Sequence, residues 1–149
     1  MLDGVIITPL RQLFDERGKV MHMLRRDSAV FLDFGEVYFS CLYPGAVKGW
    51  NQHKLMTLNF AVPHGLVKLV LYDARDNSAT RGKLQEIYLG PENYFLVTIP
   101  PMIWTGCKGI GTEVSIVANC ASLMHDPQEV ERLAPDDPAI PYDWSTRPL

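Results

Sequence analysis

Two residues near the middle of the chain have the types and the spacing for proton chemistry. Asn51 and His53 lie two apart in the run Lys48-Gly49-Trp50-Asn51-Gln52-His53-Lys54. Residues two apart on a strand share a face, so an amide and an imidazole would look into the same space. Imidazole both takes up and gives back a proton near neutral pH, whereas an amide cannot act as a base there. The amide can instead donate a hydrogen bond to an oxygen that gains charge while the proton is away. The other histidines offer less. His64 reads as a turn residue in Pro63-His64-Gly65, and His125 as a surface residue.

The partners of such a site are bounded by charge. The chain carries 14 Lys and Arg against 17 Asp and Glu, a net charge of −3. No basic stripe exists to neutralise phosphates in bulk, so nucleic acid and an anionic membrane are not expected as partners. A few local cations can still hold one small anionic ligand. No apolar run approaches the roughly 20 residues that span a bilayer. The first residues lack a basic segment followed by a long apolar run, so no signal peptide is expected. Cys41, Cys107 and Cys120 are an odd set with no close pairing, which points to a reducing cytoplasm.

Strands must hold this pair in place, and the pattern supplies them. A length of 149 residues with 47% apolar content fits one domain, 1–149, with one core. Short β-branched and aromatic runs cover 5–7, 20–24, 36–42, 46–53, 57–62, 66–72, 84–89, 94–99 and 114–119. Turn residues separate them at spacings of about 8–12 positions, which argues for an all-β sandwich or barrel. Asp15-Glu16-Arg17-Gly18 reads as a turn. Asp27 or Ser28 is expected to cap a short helix through Phe34 that Gly35 ends. Gln128 to Leu133 is expected to form a short helical turn. The proline-rich tail, carrying Ile140, Tyr142 and Trp144, reads as an ordered C-terminal wrap.

Four segments in order resemble the dTDP-4-dehydrorhamnose 3,5-epimerase family and its 3,4-ketoisomerase relatives. They are Asp15-Glu16-Arg17-Gly18, the loop Asp73-Ala74-Arg75-Asp76-Asn77-Ser78-Ala79-Thr80-Arg81-Gly82, the turn Ile99-Pro100-Pro101-Met102-Ile103-Trp104, and the closing Asp136-Asp137-Pro138 with Asp143-Trp144. The resemblance implies a double-stranded β-helix (cupin, jelly-roll) barrel that acts as a homodimer on nucleotide-linked 4-keto sugars. It also implies the reaction. A 4-keto group acidifies the protons on C3 and C5, a base removes one, and the enolate is held by a cation or donor.

The chain departs from that family at its catalytic positions. Lys48 stands where the family has Arg, and Asn51 where it has the catalytic His. Leu58, Thr105 and Asn119 stand near its Lys, its later His and its Tyr. In the ketoisomerase frame His53-Lys54 matches the second His and the Lys. The resemblance thus implies His53 as base, Asp137 as its carboxylate partner, and Asn51 or Asn119 on the enolate. Arg17 and Lys48 would meet the diphosphate, with Lys54 beside them. Glu36 and Tyr38 occupy base-recognition positions, His22 stands where the family has Glu, and Trp104 either stacks on a ring or packs in the core. Metal-binding cupins place a second His two residues earlier, a Glu shortly after, and another His later. Here those places hold Asn51, no Glu at 57 or 58, and Thr105. One imidazole is too few for a catalytic site of three protein ligands, so neither metal nor cofactor is expected. Two alternatives remain at this point: a non-catalytic nucleotide-sugar-binding or scaffolding barrel, and a different small-molecule isomerase or lyase.

Overall fold

Residues 1–145 of the computed structural model form twelve strands and no helix. The strands are β1 (Ile6–Pro9), β2 (Gln12–Asp15), β3 (Gly18–Met21), β4 (Glu36–Leu42), β5 (Val47–His53), β6 (Leu58–His64), β7 (Val67–Asp73), β8 (Leu84–Leu89), β9 (Phe95–Ile99), β10 (Ile103–Gly109), β11 (Ser115–Ala121) and β12 (Val130–Arg132). Two five-stranded antiparallel sheets face each other. The first has the order β1-β9-β6-β11-β4 and the second β12-β5-β10-β7-β8, with β2 and β3 a separate hairpin. This is the expected all-β jelly-roll barrel.

Alternation along the strands builds the core. Leu58, Phe60 and Val62 of β6 meet Leu69 and Leu71 of β7 between the sheets. The intervening residues of the second sheet are also buried. Val70, Trp104 and Trp50 face outward and are covered by Ile140 and Trp144 of the tail. The tail is therefore a wrap, fastened by Lys108 Nζ donating to the Trp144 carbonyl at 2.6 Å and Trp50 Nε1 to the Pro135 carbonyl at 3.3 Å. Burial on both faces explains why Leu69-Val70-Leu71-Tyr72 of β7 reads as a continuous apolar run rather than an alternating one.

Three local expectations change. β10 does not look like a strand because Gly106 and Gly109 interrupt it. A Cβ at Gly106 would stand 2.7 Å from the Trp144 ring, so the wrap demands glycine there. Residues 26–30 form turns, with Phe31 N donating to the Ser28 carbonyl at 3.0 Å, and residues 31–34 continue without regular structure, so there is no helix. Leu32 and Phe34 are exposed, and a single apolar contact from Val30 is too little to offset the cost of nucleating a helix. Gly35 is not a helix end. Its amide donates to the Ala121 carbonyl at 2.8 Å, and a Cβ would overlap the Leu123 backbone. Residues 130–132 form edge strand β12 on β5, with Val130 opposite His53, because pairing satisfies the backbone groups that β5 would otherwise leave open.

Candidate active site

Between the two sheets lie two adjoining hollows that share Tyr38, an inner one of about 190 Å³ and a wider, more open mouth, together called the chamber. The inner part is walled by Lys48, Asn51, Thr105 and Cys107 from the second sheet and by Tyr38, Ser40 and Asn119 from the first. His53, Glu36, Arg132 and His125 line the mouth, and Tyr38 belongs to both parts. β5 pairs Asn51 with Thr105 and Lys48 with Cys107, and the register shifts between Thr105 and Cys107. That shift lets Lys48 and Asn51, three positions apart, both face inward.

His53 has a carboxylate partner. Its Nδ1 lies 2.6 Å from Glu129 Oε1, and both side chains are largely buried. The other oxygen of Glu129 accepts from the amides of Leu55 and Met56 at 2.8 and 2.9 Å. Burial pushes the Glu129 carboxyl up, but the hydrogen bonds from His53 and these two amides outweigh it and hold the group below its ordinary value. An ionised Glu129 keeps the proton of a neutral imidazole on Nδ1, which leaves Nε2 as the basic nitrogen.

The deep wall carries a donor without a partner. Asn119 is fully buried, and its Oδ1 accepts from the Asn59 amide at 3.0 Å. Asn59 is itself fixed, donating to the Cys120 carbonyl at 3.1 Å and accepting from Thr98 Oγ1 at 2.7 Å. The Asn119 amide cannot turn without losing that bond, and its Nδ2 meets no acceptor. A buried donor left so costs about 1–3 kcal/mol, which a bound acceptor would recover. Among the described residues, Lys48 is the only charged side chain of the inner part, and its Nζ donates to Ser40 Oγ at 3.0 Å. Burial pushes the Cys107 thiol up to about 12, against a small opposing effect of Lys48. The thiol therefore stays protonated and is no nucleophile.

The residues singled out in the sequence divide between this chamber and other places. Asn51, His53, Asn119, Lys48, Tyr38 and Glu36 come together in it. Asp137 sits in the wrap over the outer face, where its Oδ1 accepts from the Ala139 amide at 2.9 Å, and Glu129 holds His53 instead. Trp104 belongs to the outer cluster beneath the wrap, so it packs rather than stacks on a ligand. Lys54 pairs with Glu131 at 3.6 Å on the exterior. Arg17 projects from the β2–β3 hairpin, bound to Asp15 at 2.6 Å, and lines a different depression. His22 lines another, beside Arg11 and Arg25. Glu129 carries no sequence signal, because only the β12–β5 register brings it to His53. Among the described residues, no three His, Cys, Asp or Glu side chains gather as a metal site.

The whole chain has counterparts of known type. The family model for dTDP-4-dehydrorhamnose 3,5-epimerase matches residues 1–149. A dTDP sugar isomerase from Desulfovibrio desulfuricans superposes with a TM-score of 0.94 at 46% identity, covering 96% of this chain and 92% of that one. A probable low-salt glycan biosynthesis epimerase of Haloferax volcanii is 35% identical over 144 residues, 95% of this chain and 89% of that protein. Spore coat polysaccharide biosynthesis protein SpsL of Bacillus subtilis is 29% identical over 148 residues, 98% of each.

Proposed function

The chain belongs to the dTDP-4-dehydrorhamnose 3,5-epimerase family, and on that premise we propose that it abstracts a proton beside the keto group of a nucleotide-linked 4-keto-6-deoxyhexose. The observation that carries this reading is the pairing of a carboxylate-held imidazole with an unpartnered buried donor in one chamber. His53 Nε2 takes the proton from the carbon next to the ketone. Charge then gathers on the keto oxygen, where Asn119 Nδ2, Asn51 and the Lys48 ammonium supply donors. Glu129 steadies the imidazolium that forms. Proton removal and return change no oxidation state, so the reaction calls for no redox cofactor.

The remaining assignments belong to the same reading. We place the protein in the cytoplasm, where the free Cys41, Cys107 and Cys120 stay reduced. A second copy covers the exposed apolar groups of β4 and the hairpin, among them Val37, Phe39, Phe14 and Val20. Arg17 lines no part of the chamber in its own protomer, so holding the diphosphate requires the second copy's hairpin to lie at the chamber mouth.

Proton NMR of the protein with dTDP-4-keto-6-deoxyglucose in deuterated water tests the reading. Deuterium is expected at C3, C5 or both, faster than without protein. Binding without exchange would make the chain a binding module, and neither binding nor exchange would exclude this substrate class.

A further inference from the structure

An inversion needs a second proton carrier on the wall opposite the base. β4 points Glu36, Tyr38, Ser40 and Leu42 inward and leaves Val37 and Phe39 exposed. β4 belongs to the first sheet and β5 to the second, so Tyr38 and His53 reach the mouth from opposite walls. An enolate is flat, and a flat group between two walls shows one face to each. We propose that Tyr38 is the acid that returns a proton to the face of the sugar carbon opposite His53, an inference that rests on the preceding reading.

The other groups of the inner chamber do not serve. Lys48, Thr105 and Cys107 come from the same sheet as His53 and approach the same face. On the first sheet, the amide of Asn119 is not an acid, and the aliphatic hydroxyl of Ser40 is bound to Lys48. Tyr38 is paired directly with Asn119 in the β11–β4 register, so the residues that carry the oxyanion donor and the proton are neighbours on one wall.

The step balances. His53 Nε2 takes the proton, and the electron pair of the broken C–H bond becomes the enolate. The phenol gives its proton to the opposite face, forming the new C–H bond and a phenolate. Tyr38 is 40% exposed, so water at the mouth reprotonates the phenolate and accepts the proton of the imidazolium. No oxidant or reductant is involved.

The test measures deuterium exchange and inversion together, on dTDP-4-keto-6-deoxyglucose, for the natural protein and Tyr38→Phe. The natural protein should do both. Tyr38→Phe should keep exchange within about threefold and lose inversion by about 10²-fold or more, because His53 then returns the proton to the face it came from. If the variant loses exchange and inversion in equal measure, or changes only KM, Tyr38 merely binds substrate and the inference fails. If the natural protein exchanges deuterium but yields no inverted product, the inference fails while proton abstraction stands. If it does neither, both fall.

Discussion

Two buried polar clusters in this protein are built to opposite ends. In the loop after β7, the carboxylate of Asp73 accepts from Arg75 Nε and Nη2 at 2.9 and 2.9 Å, from Ser78 Oγ at 2.5 Å and from Thr80 Oγ1 at 2.7 Å. Arg75 also reaches the Asp3 carbonyl at 2.6 Å, tying the start of the chain to the loop. Asp73, at the hub of the network, has both its oxygens engaged. In the chamber, the buried Asn119 Nδ2 has no partner, and Lys48, exposed at the chamber wall, has only a hydroxyl. A satisfied network rigidifies, whereas an unpaired buried donor awaits a ligand. The loop is also the segment that most resembles the family motif, while the chamber holds the departures. Motif likeness here marks the scaffold, and the substituted positions mark the chemistry.

This contrast can be broken by changing each cluster in turn. Asp73→Ala should cost about 3 kcal/mol of stability, read from urea unfolding, because it strands the Arg75 guanidinium beside a buried gap. Deuterium exchange per folded molecule should not change. A stable variant with lost exchange would place chemistry in the loop and undo the comparison. Asn119→Ala should do the reverse, slowing exchange by about 10²-fold while costing about 1 kcal/mol through the orphaned Asn59 amide. An unaltered rate would mean that no charge develops at that donor.

The smallest effect sharpens the comparison through pH. The Arg75 guanidinium, helped by Ser78 and Thr80, holds the Asp73 carboxyl well below the usual carboxylate range despite burial. Glu129 is also lowered, because its hydrogen bonds outweigh burial. A carboxylate lowered on folding stabilises fully above its unfolded value of about 4 and loses that contribution as pH falls. Unfolding free energy should therefore be level from pH 7 to 5 and fall below 4, and Asp73→Ala should flatten the fall. An equal slope in the variant would show that Asp73 is not the group responsible.

Much of the scaffold was legible from residue pattern. β8 runs over the residues its alternation marks, and β5 differs by one residue at its start. What hid β10 was tertiary: Gly106 is required by the ring of Trp144, a residue far along the chain that packs on it. β12 was hidden similarly, since three polar-flanked residues become a strand only by completing β5. Within the site, a period of two placed Asn51 and His53 on one chamber wall. The same logic could not give the carboxylate, because Glu129 reaches His53 by register rather than by motif. Trp104 was ambiguous for a related reason: alternation assigns it a face, but only the wrap decides that the outer face is dry.

The central claim is that a carboxylate-held imidazole in this chamber removes a carbon-bound proton. Deuterium exchange into dTDP-4-keto-6-deoxyglucose by His53→Gln, compared with the natural protein at equal folded concentration, tests it most directly. The account predicts exchange slower by about 10²-fold or more with ligand binding retained. Exchange at the natural rate would show that another group is the base and that the His53–Glu129 pair serves only to hold β12 against β5.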